Sequence, residues 1–592
     1  MRKEFRSLIS LEEAQSIVLS RPPQAAARTV NLPEARGHIL AEKVVSSQDV
    51  PGFSRASMDG FAVLAEDTLA AREDRPVSLG LAGIVPMGVL PHLRVASGEA
   101  AEVSTGSMMP EGADAVVMIE YSQAEGGRVQ IRRPVYGGEN VQAAGSDISF
   151  GEVVLFPGTK LAAREMGVLA ALGRTDVAVR SLKAGVASTG NELVAPGQLL
   201  AAGQIYDINT YTIAAAVADC GARARPYGIL PDEKESMAKA LQNMAVECDM
   251  ILVSGSTSAG VGDMIFQVLE EVGELIFHGV NLKPGKPTIF GLINGKPCLG
   301  LPGYPTSALT VFSCLAAPAI RAALGQTHTR KRVAGRLAGP LRIEGRRQML
   351  AVGLSGDLVY PMDKGSGSIT TLAGADGIID IPAGVEFLEK GEKVEVELFA
   401  EVEPADLVVA GENSLLLEKL AESLPWRIML LNCGSMRARL YLEDGVADLA
   451  CVSGRKAALE AVPEGMTLIC SYKRELGLVY REAGAFTDLA ARRIVGWQRD
   501  FAMRAAFERS LSTLGLSHPR YVRVARTHSA VAAAVASGRA DLGFAEKQAA
   551  VEAGLGFKPV GNDEIMLLAR PQNVGDARIR SLVSALSQAG GA

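Results

Sequence analysis

Histidine is scarce in this chain: six in 592 residues, and no two of them stand at i, i+4. That excludes the usual helical pair of imidazole metal ligands, so any metal here is expected to be held by oxygen. The seven cysteines (Cys220, Cys248, Cys298, Cys314, Cys433, Cys451, Cys470) are odd in number, scattered, and include no C-x-x-C pair. They fit reduced core thiols in a cytoplasmic protein better than a disulfide framework or a zinc site. Long apolar runs are also missing. The longest, near Leu309–Ile320, contains Pro318 and falls short of the ~20 residues a spanning helix needs, so no membrane partner is expected. Met1-Arg2-Lys3-Glu4-Phe5-Arg6 has no apolar stretch behind its charges, unlike a secretory leader. A strongly basic half is lacking too: residues 1–400 carry −7 and residues 401–592 carry +1. General nucleic-acid binding is therefore not expected.

What is present is a globular composition, 48% hydrophobic and 21% charged, in a chain too long for one core. At roughly 150 residues per domain the length suggests about four domains. Residues 1–48 and 146–180 read as a helical linker part, with Ser10 and Glu13 as a capping pair. Residues 49–145 are a β-rich insert of short strands and Gly turns. From 181 to 328 the texture becomes strand–loop–helix, which predicts a doubly wound parallel α/β sheet. Strands are expected at 184–187, 250–253 and 297–301. Residues 329–402 revert to short strands, predicting a small β-barrel or sandwich. Beyond the linker Glu401-Val402-Glu403-Pro404, residues 403–592 alternate again as two α/β lobes joined by strand crossings near 467–480 and 558–570. The fold class expected is thus α/β multidomain.

In an open α/β sheet, ligands sit at the carboxyl ends of the strands. There the sequence concentrates small, hydroxylic and acidic residues: Thr189-Gly190 before Glu192, Ser254-Gly255-Ser256 with Ser258, Gly260 and Asp263, and Pro302-Gly303-Tyr304-Pro305. Small residues let backbone N–H groups approach an anion, and hydroxyls add donors, which suits phosphate. Lys283 and Lys286 stand on a Pro-braced turn, where their ammonium groups are pre-placed for anions. In the β-rich part, Asp59 lies in an Asp-Gly turn, Thr105 in a Thr-Gly turn and Asp147 in a Gly-Ser-Asp run. Asp59, Asp147, Glu192, Asp207 and Asp263 together are the hard oxygen chemistry that Mg2+ prefers. As a plain helix cap, Asp263 needs no metal.

Taken in order, these motifs resemble the MoeA family, the molybdopterin molybdenumtransferases. The resemblance runs through Asp49-Val50-Pro51-Gly52-Phe53, Ser57-Met58-Asp59-Gly60-Phe61, Thr105-Gly106, Pro110-Glu111-Gly112-Ala113-Asp114, Asp147-Ile148-Ser149, Ser188-Thr189-Gly190-Asn191-Glu192, Tyr206-Asp207-Ile208-Asn209, the loop to Asp263, and Lys283-Pro284-Gly285-Lys286-Pro287. It covers about residues 5–400. It implies an elongated homodimer whose site lies between the α/β domain and the partner's β-rich domain. The implied reaction cleaves adenylylated molybdopterin, inserts molybdate (or tungstate) and releases AMP. Its catalytic residues would be Asp59, Thr105, Asp147, Glu192, Asp207, Asp263, Lys283 and Lys286, with Mg2+ on Asp59, Glu192 and Asp263. The enzyme that adenylylates the pterin would be a partner. Two departures stand in the implied pocket: Ser256 replaces a family Gly, and Tyr304 replaces an Asn. They keep open a second reading, a non-catalytic MoeA-like protein that binds or senses pterin or metal oxyanion.

Residues 404–592 resemble the two-lobed periplasmic-binding-protein fold, also used as the effector domain of LysR-type regulators. The resemblance rests on Thr527-His528-Ser529 and the run Ala532–Gly543. This part is expected to be a ligand sensor or oxyanion-binding module. Residues 491–530 hold eight arginines and a local +6, with Arg499 placed at a helix start facing the cleft. Ser414, Ser435 and Thr527 are helix-start positions that serve as plain N-caps or open toward the same cleft. His528 is expected to pack or cap.

Overall fold

The computed structural model describes residues 8–257, 264–326, 331–362, 369–399, 405–454, 464–482, 489–517 and 519–589. The chain forms two compact units, one within residues 1–280 and 285–328, the other within 281–284 and 329–592.

The first unit opens with the helix Leu11–Leu19, whose Ser10 hydroxyl accepts the Glu13 N–H at 3.1 Å. A three-stranded sheet follows, Ala26–Asn31, Asp176–Ser181 and Ile39–Leu40. The β-rich insert is a six-stranded sheet that begins at Gly60–Val63 and ends at Arg128–Ile131. Its strands alternate inward Phe61, Val63, Leu79, Val117, Val129 and Ile131 around one core.

The α/β domain carries a six-stranded sheet in the order Arg223–Leu230, Lys183–Thr189, Met250–Ser254, Lys296–Leu301, Ile289–Ile293, Glu274–His278. The first four run parallel; the last two join antiparallel. The doubly wound expectation is met with an antiparallel edge added. That edge begins at a tight hairpin whose Asn294 and Gly295 both take positive φ, 51° and 73°, the turn that Asn-Gly favours. The strand Arg223–Leu230 was not anticipated because it is a polar edge interrupted by Pro226, where the register slips. Central strands are fully buried: Met250, Ile251, Leu252 and Val253 expose nothing, as a sheet covered on both faces requires.

Helical backbone runs from Pro305 to Ala323, 19 residues of mean hydropathy 1.3. By length and composition it could cross a membrane, yet 61% of it is buried inside the unit. Phe312, Leu315 and Ile320 are among its core side chains.

In the second unit, Arg332–Leu337, Leu358–Pro361, Gln348–Ser355, Gly377–Ile381 and Lys393–Leu398 close into a barrel. Residues 407–569 then form one eight-stranded sheet. Its two 14-residue strands, Thr467–Tyr480 and Gly556–Ala569, run antiparallel through the middle and belong to both lobes. The first lobe adds Ile428–Asn432, Leu407–Gly411 and Leu449–Gly454; the second adds Leu542–Glu546, Ile494–Trp497 and Tyr521–Ala525. Each lobe has its own apolar core, built around Leu567 and Ile565 in one and Trp497, Phe507 and Phe544 in the other.

Candidate active site

The carboxyl ends of the parallel strands gather a connected set of polar side chains. Ser256, just past Met250–Ser254, donates its hydroxyl to Asp232 Oδ1 at 2.8 Å, and the Thr189 hydroxyl donates to the same oxygen. The Asn191 N–H reaches Oδ2 at 3.3 Å. Ser256 sits at φ +46°, an uncommon backbone position for a residue with a side chain. Gly255 beside it has φ +103°, and a Cβ there would lie 2.3 Å from the Thr189 carbonyl oxygen. Glycine is required for the loop to approach Thr189 this closely.

The hydroxyls of Thr189 and Ser256 were expected as free donors for phosphate. Instead both are spent on a carboxylate, so this part of the loop presents negative charge at its centre. Asp232 itself was missed in the sequence. It follows the unanticipated strand Arg223–Leu230, so nothing placed it at the sheet's carboxyl edge.

Deeper in, the residues knit loops together. Asp207 is buried and accepts the Ser188 hydroxyl at 2.7 Å and the Thr210 N–H at 3.1 Å, bracketing the start of the helix Asn209–Asp219. Asn209 donates to Ser254 Oγ and to the Gly303 carbonyl, both at 2.7 Å. Ser254 in turn donates to the Pro302 carbonyl at 3.0 Å. The loops after two strands are thereby locked, with Pro302 buried and Pro305 opening the next helix at a position where its missing N–H costs nothing. Tyr304 is 63% exposed and free to meet a ligand. Gly190, buried and at φ +154°, turns the chain after Thr189, and Glu192 stands exposed two residues on.

In the β-rich sheet, Asp59 Oδ1 accepts the Thr105 N–H at 2.6 Å and the Thr105 hydroxyl at 3.0 Å. These bonds, the backbone one first, hold the Asp59 carboxyl below the ordinary Asp range. Gly60 is fixed by its surroundings: a Cβ there would meet the Val117 carbonyl oxygen at 1.9 Å. Asp147 is exposed. Lys286 is half-buried in the first unit, whereas Lys283 falls in the second, paired to Glu344 at 2.8 Å.

Ser258, Gly260 and Asp263 lie outside the described residues. Among the described residues no group of three acidic, histidine or cysteine side chains comes together to hold a metal. Asp263, the third carboxylate expected with Asp59 and Glu192, lies outside those residues. The donors at the sheet edge are carboxylate and hydroxyl oxygens, the chemistry of a hard cation.

Family models match in sequence order: the MoeA N-terminal region (domain I and II) over residues 9–173, the probable molybdopterin binding domain over 185–322, and the MoeA C-terminal region (domain IV) over 335–399. The molybdopterin molybdenumtransferase 2 of Mycobacterium tuberculosis is 32% identical over 65% of this chain and 98% of its own length. The chain belongs to the MoeA family. The Haemophilus influenzae molybdopterin molybdenumtransferase is 35% identical over 55% of this chain and 80% of its own. A crystal structure of a molybdopterin biosynthesis MoeA protein from Pyrococcus horikoshii aligns with 67% of this chain and 100% of that one, at 40% identity and a TM-score of 0.62. The MoeA part ends before residue 405. Residues 417–587 match a PBP superfamily domain, so this MoeA protein carries a fused two-lobed module. The Ser256–Asp232–Thr189 set lies inside the span matched as the molybdopterin binding domain.

Three of the eight arginines in the band at 491–530 are engaged by the fused module's own fold. Arg493 pairs with Asp541 at 2.6 Å, Arg504 with Glu508 at 2.5 Å, and Arg526 donates to Gln498. Arg499 is exposed. Ser414 and Thr527 are N-caps, accepting the Leu417 and Ala530 N–H groups. His528 packs edge-on against Trp497 and takes the Glu546 N–H on Nδ1, as expected of a packing residue. Burial and the Arg474 guanidinium keep it neutral.

Proposed function

We propose that this protein is a molybdopterin molybdenumtransferase. It takes adenylylated molybdopterin, cleaves the phosphoanhydride, inserts molybdate and releases AMP. The observation that carries the reading is the carboxyl-edge cluster of Thr189, Ser256, Asp232, Asn209 and Ser254 within the span matched as a molybdopterin binding domain, in a chain that retains the flanking MoeA regions in order.

The locked loops hold backbone and side-chain donors still, so charge stabilisation costs little reorganisation at the moment of reaction. The Asp232 carboxylate at the centre of the loop implies that anionic substrate arrives with a countercharge. Lys283, Lys286 and Mg2+ supply it in this reading, the cation bound by oxygens of Asp59, Glu192 and Asp263. When bound, such a cation polarises the anhydride phosphate. Asp59 comes from the β-rich sheet, which fits a homodimer that builds each site from two subunits. The adenylylating enzyme of the same sequence of reactions is the expected partner, and the cytoplasm the expected compartment.

The test is incubation of the full chain with adenylylated molybdopterin, magnesium and molybdate or tungstate, following AMP. Release well above a D59A control supports the reading; equal release from both overturns it.

A further inference from the structure

Two helix starts, one from each lobe of the C-terminal module, converge on a single carboxylate. Glu412 follows the strand Leu407–Gly411 and is 3% exposed. Its Oε1 accepts the Ser435 N–H at 2.9 Å and the Ser435 hydroxyl at 2.8 Å. Ser435 is the first residue of the first-lobe helix Ser435–Glu443. The same oxygen accepts the Ala502 N–H at 3.0 Å, and Ala502 is the first residue of the second-lobe helix Ala502–Thr513. Oε2 is buried with no hydrogen-bond partner.

The backbone is shaped for this meeting. Gly434, which caps the first helix, has φ +79°, and a Cβ there would lie 2.0 Å from the Asp500 carbonyl oxygen, so the lobes touch at this point. Gly411 has φ +149°, and a Cβ on it would meet the Cys451 carbonyl oxygen at 1.9 Å. Both glycines are needed to bring the carboxylate and the helix starts together. Unpaired N–H groups and the helix dipole make each helix start favourable for an anion. Here three donors from two lobes share one oxygen.

We propose that the C-terminal module contains an anion site at the lobe junction whose resident ligand is the chain's own Glu412 carboxylate. The module is closed on itself, and a small carboxylate or oxyanion reaches the two helix starts only by displacing Glu412. Among the described residues, the buried cation beside it is already engaged. Arg474, 4% exposed, is already bound to Asp563 at 2.9 Å and to the Asn413 carbonyl at 2.7 Å. Glu546 Oε2 lies 3.9 Å from Arg474 and from His528. The expected oxyanion sensor is thus occupied from within, and this holds whether or not the MoeA part is an active transferase.

The experiment uses the full chain with formate as probe, followed by thermal melting. In E412A the melting of the C-terminal module falls, and millimolar formate restores it with saturation, while the wild type does not respond. Equal formate responses of the two proteins, or no loss in E412A, overturn the proposal. Should E412A not fold, A502P decides. Proline is tolerated at a first helical position, and Phe501 before it already has the extended ψ of 136° that proline requires. The donated N–H is lost and the ring Cδ takes its place against Oε1, so the substitution drives the carboxylate off the second-lobe helix start. Carbodiimide labelling of Glu412, read by mass spectrometry, rises several-fold in A502P once the carboxylate is displaced from the helix starts. Labelling that stays at the wild-type level overturns the proposal.

Discussion

Ser256 holds Asp232 across 2.8 Å from a backbone position of φ +46°. A hydrogen bond to a charged group contributes about 1.5–3 kcal/mol, and the strained backbone costs about 1–3 kcal/mol. The two nearly offset. S256G therefore leaves thermal melting close to wild type while AMP release falls several-fold, because Asp232 loses one of its two hydroxyl donors. Melting curves beside steady-state kinetics check this, and a large melting loss with unchanged kinetics would refute it.

Gly255 sets the limit of that loop. A methyl group 2.3 Å from the Thr189 carbonyl oxygen forces the strand ends apart. G255A should lower AMP release at least tenfold, about 1.4 kcal/mol in activation free energy, with a lower melting temperature for the α/β domain.

Asp59 is held ionised by Thr105, chiefly by its backbone N–H and then by its hydroxyl. Its depressed pKa keeps the carboxylate charged to lower pH than a free Asp would allow. T105V removes only the smaller of the two bonds. The acid limb of the rate profile is therefore expected to move modestly to higher pH, with the plateau at neutral pH less affected. A pH–rate profile of both proteins reads it directly.

Arg474 is buried between Asp563 and Glu546. Removing the guanidinium leaves uncompensated buried carboxylates, a loss of about 3–5 kcal/mol. R474M should unfold the C-terminal module early in urea. Burial already pushes the Glu546 carboxyl up, against the pull of Arg474. Without the arginine that pull is gone and burial raises it further. The deficit of R474M should shrink as pH falls and grow as pH rises through that raised pKa. Urea titrations at two pH values test the sign.

Much of this molecule could be read before folding was considered. The buried strand Met250–Ser254 is a run of apolar residues, and the strand crossings expected near 467–480 and 558–570 are the two long strands Thr467–Tyr480 and Gly556–Ala569. Asp59 and Thr105 stand out as turn residues, and the structure joins them directly. Arg223–Leu230 was illegible because an edge strand needs no alternating apolar face and tolerates Pro226. With it went Asp232, the acceptor at the centre of the site. The arginine band misled in the other direction: charge density is visible in a sequence, but its pairing with Asp541, Glu508 and Gln498 is not.

By itself, the scarcity of histidine and of paired cysteines carries only an expectation, that any metal is held by oxygen, whereas the order of the glycine, serine and lysine loops determined the family. Those are properties of residue type and spacing, which survive in one dimension. What only the tertiary structure decided is which donors remain available. Hydroxyls at 189 and 256 and the helix start at 435 look alike in sequence, as donors open to an anion, and the helix start at 502 carries no such mark. In the fold each is already matched to a carboxylate, Asp232 or Glu412, brought from 23 to 90 residues away. A hydrogen-bond donor is satisfied by whatever lies within about 3 Å, and chain separation carries no record of that distance.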